Sequence, residues 1–143
     1  MASPIEVKLI LCDAAVADPS GKLHMLGAGW SVTGSPTAPQ AVAMLIKIPW
    51  DRANQKISLS LRLLDPDGHP VKLPGIDGNQ VPIGHEGSIE AGRPPGVAPG
   101  SMLDAAVSIA VPSMPLTPGR YEWRLDLGDQ TFSESFTVQR SQD

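Results

Sequence analysis

Apolar and polar residues alternate along most of this chain with a period of two, the spacing of a half-buried β-strand. The pattern is strongest from Leu116 to Arg140. Tyr121, Trp123, Leu125 and Leu127 fall on one face, and Glu122, Arg124 and Asp126 on the other. Gly128-Asp129 is turn chemistry, and Phe132, Phe136 and Val138 carry the apolar face back, so this segment predicts a β-hairpin.

Upstream, Ile5, Val7, Leu9 and Leu11 predict a first strand, and Asp18-Pro19-Ser20-Gly21 a turn. Leu26, Ala28, Trp30 and Val32 then share a face, which predicts an N-terminal β-hairpin over 5–33. Gly27 and Gly29 inside its second strand predict a bulge or a close backbone approach. Ala41 to Trp50 is almost continuously apolar, as expected of a central strand. Ile57, Leu59, Leu61 and Leu63 alternate with Lys56, Ser58, Ser60 and Arg62. Asp65-Pro66-Asp67-Gly68 predicts a turn, and Val71–Leu73 a short return strand. The segment 74–101 holds seven Gly and five Pro in 28 residues and reads as a long loop, with short edge pairings at Val81, Ile83 and Ile89. Leu103 to Val111 resumes the alternation.

No stretch has helical i, i+3, i+4 spacing with caps, and no internal repeat occurs. Short strands between Gly/Pro turns predict one all-β domain over 1–143, an antiparallel β-sandwich. Its 14 Gly and 15 Pro agree with a turn-rich fold. The net charge of −4 argues against non-specific nucleic-acid binding, which needs a basic surface. Cys12 is the only cysteine, so no intrachain disulfide can form. Leu9-Ile10-Leu11 is too short for a secretory leader, and no apolar run reaches membrane-spanning length, so a cytoplasmic protein without membrane association is expected.

Leu116-Thr117-Pro118-Gly119-Arg120-Tyr121 resembles the tyrosine corner of immunoglobulin-like sandwiches. That resemblance implies an immunoglobulin-like fold in which 41–50 and 55–64 are core strands and the hairpin 5–33 is an elaboration. The combination CDAA (12–15), GKLHMLGAGW (21–30), GRPPGVAPGS (92–101) and LTPGRYEW (116–123) is similar to a family of small bacterial, mainly actinobacterial, proteins of unknown function. This second resemblance implies a compact β domain and no functional residues.

Candidate chemistry is sparse. His24, His69 and His85 lack the paired spacing of zinc ligands. Asp65-x-Asp67-Gly68 and Asp77-Gly78-Asn79 offer oxygens of the kind calcium prefers, but no bidentate Glu follows, and turns explain both. Cys12 with His24 is the one nucleophile–base pair that can be constructed, and a buried structural Cys is the simpler reading. No phosphate loop, GxSxG or HExxH motif occurs, so no catalytic residue, metal or cofactor is assigned. Among the three tryptophans, Trp30 and Trp123 read as core. Trp50, at a strand end, reads as partly exposed, and Arg93-Pro94-Pro95 as a stiff surface segment. Trp50, Arg93, Pro94 and Pro95 are therefore the candidate binding residues. The expected function is a non-enzymatic protein-interaction or self-assembly module, a homo-oligomer or the binder of another protein. The alternatives are a small-ligand or carbohydrate module using Trp50, and a cysteine enzyme.

Overall fold

The computed structural model describes residues 4–140. Among these described residues twelve strands form: β1 (Glu6–Cys12), β2 (Ala14–Ala17), β3 (Leu23–Leu26), β4 (Val32–Thr33), β5 (Gln40–Ile48), β6 (Ile57–Leu64), β7 (Lys72–Pro74), β8 (Gln80–Pro82), β9 (Gly84–Ile89), β10 (Leu103–Val111), β11 (Gly119–Leu127) and β12 (Gln130–Val138). One sheet has the order β1-β5-β10 and a second the order β4-β12-β11-β6-β9; β2-β3 and β7-β8 are separate two-stranded pairs. All pairings are antiparallel except β4 with β12.

The period-two alternation decides where the core lies. Val42, Met44, Ile46 and Ile48 of β5 join Leu59, Leu61 and Leu63 of β6 and Tyr121, Trp123, Leu125 and Leu127 of β11 in one buried cluster. Phe136 packs there against Tyr121 and takes the edge of Trp30. The Tyr121 hydroxyl donates to the Thr117 carbonyl at 2.8 Å, tying the entry of β11 to the turn before it. Thr37 and Gln40 are buried polar residues. Thr37 Oγ1 accepts from the Met114 N–H, and Gln40 Oε1 from the Trp123 indole.

Two expectations are corrected. The hairpin over 5–33 forms only over 14–26, where the turn at 18–21 closes β2 on β3. β1 pairs with β5, Leu9 opposite Met44, and so belongs to the main sheet. The pair β2–β3 folds instead onto the outer face of that sheet, where Cys12, Ala41 and Ala43 are small enough to let Ala15, Leu23 and Met25 approach. Leu26 to Val32 cannot continue as one strand, because Gly27 and Gly29 take φ of +62° and +93°. Gly27 turns so tightly over β1 that a Cβ would lie 2.1 Å from Asp13 Oδ2. The close approach read from these glycines is thus real, and it ends the strand.

The segment 74–101 is not one long loop, and of its expected edge pairings those at Val81 and Ile89 form, opposite Leu73 and Ile57. β9 lies within it and extends the five-stranded sheet, Leu59 opposite Gly87. Val71–Leu73 does not simply return along β6: β7 pairs with β8, while Val71 N–H reaches Leu63 O at 2.9 Å. Only 90–102 remains a connector.

Candidate functional site

The end of β5 and the connector 90–102 meet. Pro49 closes β5, and Trp50–Arg52 forms a single 3-10 turn. Asn54 N–H donates to Ala91 O at 2.7 Å, and Ala91 is buried in the core cluster. This anchor delivers Arg93 onto Trp50: its guanidinium carbon lies 4.5 Å from the ring centroid, and Nη2 donates to the Trp50 carbonyl at 2.7 Å. One face of the half-buried Trp50 ring is therefore already occupied by a cation. Pro94 and Pro95 follow, both exposed, in a turn closed by Val97 N–H on Pro94 O at 3.3 Å. Val97 packs back on the core. The structure thus brings Trp50 and Arg93 into contact and displays Pro94 and Pro95 beside them.

Sequence reasoning missed the groove next to this corner. A cavity of about 670 Å³ lies between the tip of the β2–β3 pair and the outer face of the three-stranded sheet, bordered by Lys8, Lys22, Leu23, Leu45, Lys47 and Asp104. Lys47 is ion-paired with Asp104. A smaller depression shares Gly21 and Asp104 with it and reaches Arg93 and Glu90. The period-two pattern of β1 and β5 puts Lys8 and Lys47 on the solvent face, but which segment covers that face is a tertiary fact.

The other candidates lie apart. Cys12 is fully buried, and its thiol donates to Ala41 O at 3.5 Å. Burial, and then the charge of Asp13, push the thiol pKa up. His24 stands opposite Val16 and contacts Asp18, with Nε2 2.8 Å from Oδ2, rather than Cys12. Asp65 Oδ1 accepts the N–H groups of Asp67 and His69 at 2.9 Å each, as a turn-forming Asp does. Asp65, Asp67 and His69 still hold ligand atoms within 4.8 Å of one another. Asp77 likewise accepts from Asn79, which holds its carboxyl below the usual range. No helix among the described residues is long and apolar enough to cross a membrane.

These features define an all-β protein whose two principal sheets share one core and whose surface carries a cation-capped tryptophan beside a proline turn. The chain belongs to a family of unknown function, DUF6941, which matches residues 8–138. No curated protein matches it.

Proposed function

We propose that the chain is a non-enzymatic interaction module built on an immunoglobulin-like sandwich, acting in the cytoplasm without a cofactor. The β1-β5-β10 and β12-β11-β6 strand orders support the fold reading, as does the Tyr121 hydroxyl bond to Thr117. The buried, desolvated Cys12 thiol, turned away from His24, supports the non-enzymatic reading.

The observation that carries the proposal is the pinned connector. Loops that recognise partners work best when little conformational entropy remains to be lost on binding. Here Ala91, Arg93 and Val97 hold the ends of the turn, while Pro94, Pro95 and Gly96 stay exposed. The test is chemical cross-linking of the full chain in its own host, compared with the Gly92–Gly100 deletion and with Pro94→Asp/Pro95→Asp. A protein partner or second copy cross-linked by the native chain, and lost in both variants with circular dichroism unchanged, is expected. A strict monomer whose contacts survive both changes overturns the proposal.

A further inference from the structure

The three-stranded sheet ends on β10, to whose outer edge no strand is paired among the described residues; the tip of the β2–β3 pair comes beside it at Gly21, next to the Asp104 carbonyl. Main-chain directions follow from contacts on the far side of the sheet. Leu11 O accepts from Gly29 N–H at 2.8 Å, and Gln130 holds both the N–H and the C=O of Ile5, at 2.7 and 3.0 Å. The odd residues of β1 therefore turn their main-chain groups away from β5. Antiparallel pairs alternate between bonded and non-bonded, so Val42, opposite Leu11, turns towards β10 and bonds Ile109. Ala105 and Val107 bond β5 in the same way. Asp104, Ala106, Ser108 and Ala110 then point N–H and C=O outwards, and among the described residues nothing hydrogen-bonds to that edge.

The other main-sheet edges are less suited to pairing. β1 is clamped by Gln130 and Gly29, β9 carries Gly84, His85, Glu86 and Gly87, and β12, which β4 covers only at Thr137 and Val138, carries Glu134 in mid-strand. β10 has no Gly, no Pro and one charge, Asp104, at its start. Its core-facing Ala105, Val107 and Ile109 are only half-buried, whereas Met44 and Ile46 beside them on β5 are 0 % and 2 % exposed. The core is unfinished along this flank.

We propose that β10 pairs antiparallel with β10 of a second copy across a twofold axis at Val107. The inference rests on the self-assembly half of the reading above and names its interface. What selects a second copy is the strand itself. This register sets Asp104 opposite Ala110 and Ala106 opposite Ser108, all with outward main-chain groups, so every free donor meets a free acceptor. On the core side Leu103 meets Val111, Ala105 meets Ile109, and Val107 meets its own mate, so the half-buried positions cover one another. No like charges oppose, and Asp104 keeps its Lys47. An isologous contact requires such self-complementarity.

The experiment is light scattering behind a sizing column on the full chain over a wide concentration range, with Ser108→Pro as the edge-blocking variant. Proline at 108 removes a main-chain N–H that faces the free edge and no bond to β5. The native chain is expected at twice 15.1 kDa. Ser108→Pro should raise the monomer–dimer midpoint at least about tenfold, since the twofold axis repeats the loss. The register is read separately by oxidising an equal mixture of Ala106→Cys and Ser108→Cys chains: these should form the mixed disulfide in preference to either homodimer. A dimer with neither response overturns this interface and leaves self-assembly standing through another surface. A chain that stays at 15.1 kDa overturns self-assembly as well, leaving the connector and a different protein as partner.

Discussion

Arg93 lies across the face of Trp50 and donates to the same residue's carbonyl at 2.7 Å, so one side chain fastens the connector 90–102 to the end of β5 twice. An exposed cation–π contact contributes about 0.5–1 kcal/mol and a hydrogen bond about 1 kcal/mol. Arg93→Ala should lower stability by about 1 kcal/mol, because water replaces part of both. It should also uncover the Trp50 ring. Acrylamide quenching, read against a Trp50→Phe chain to isolate that residue, is expected to rise, and trypsin-independent cleavage between Gly92 and Gly100 to accelerate. Arg93→Lys keeps the charge but not the planar donor fork, and should fall between the two.

Cys12 is fully buried, and burial raises its thiol pKa. The protonated form is the one the fold accommodates, so the stability associated with this group is present below the ordinary thiol pKa and declines as alkaline pH deprotonates it. At neutral pH iodoacetamide should leave native Cys12 unmodified and alkylate it fully in urea, as read by intact mass. Rapid alkylation of the folded chain would contradict the buried geometry. Cys12→Ser should destabilise, since a hydroxyl has only Ala41 O within reach in this apolar layer.

At the tip of the β2–β3 pair, Asp18 accepts from the Ser20 hydroxyl at 2.6 Å, contacts His24 at 2.8 Å and accepts from Lys22 N–H at 3.1 Å. These contacts, led by Ser20 and then His24, hold its carboxyl well below the usual range. A depressed acid binds fewer protons in the native than in the unfolded chain. Its stabilisation is therefore complete above the ordinary carboxylate pKa and is lost as pH falls below about 4. Asp18→Asn should flatten the acid limb of a urea-midpoint-against-pH curve relative to the native chain, with little change near neutrality beyond the loss of the turn.

The Tyr121 hydroxyl and the Trp123 indole N–H are the side-chain polar groups on the buried face of β11; the indole donates to Gln40, and the hydroxyl donates to Thr117 O at 2.8 Å with Thr117 Oγ1 at 3.2 Å. Tyr121→Phe keeps the stacking on Phe136 and strands the carbonyl. The cost should be about 1 kcal/mol, or about 2–4 °C in thermal midpoint for a chain of this length.

The strands with one buried face were legible in the sequence. β6, β10, β11 and β12 lie where alternation puts them, because a one-residue slip would expose every core side chain. The turns at 18–21, 65–68 and 128–129 were legible for the same local reasons. Pairing was not. β1 and the 23–33 segment are close in sequence and both apolar, yet β1 pairs with β5, since nothing local distinguishes a neighbour from a strand further on. Trp50 and Arg93 could be named separately from a strand end and a proline-rich run. Their contact depends on Ala91 being buried and bonded by Asn54, which no periodicity encodes. The lysine-lined groove was illegible for a related reason: alternation assigns Lys8 and Lys47 to solvent without saying that the β2–β3 pair overhangs them.

The strand hidden in the Gly-rich segment gives the sharpest test of how β9 is held. Gly84 sits against β6 so closely that a Cβ would lie 2.1 Å from the Leu61 carbonyl oxygen, a backbone atom that cannot swing aside. At Gly87, three residues along the same strand, a Cβ would meet nothing nearer than His85 Nε2 at 3.7 Å. Gly84→Ala should therefore push the start of β9 off the sheet, costing about 1–3 kcal/mol, whereas Gly87→Ala should be neutral or slightly stabilising through reduced freedom of the unfolded chain. Hydrogen exchange locates the effect. In Gly84→Ala, protection should fall for 84–89 and for the β6 amides that face β9, while β11, held on its other side by β12, keeps its own. Equal losses in both variants would mean that β9 is held by its length alone; a loss confined to Gly84→Ala shows that the glycine is there because the two backbones touch.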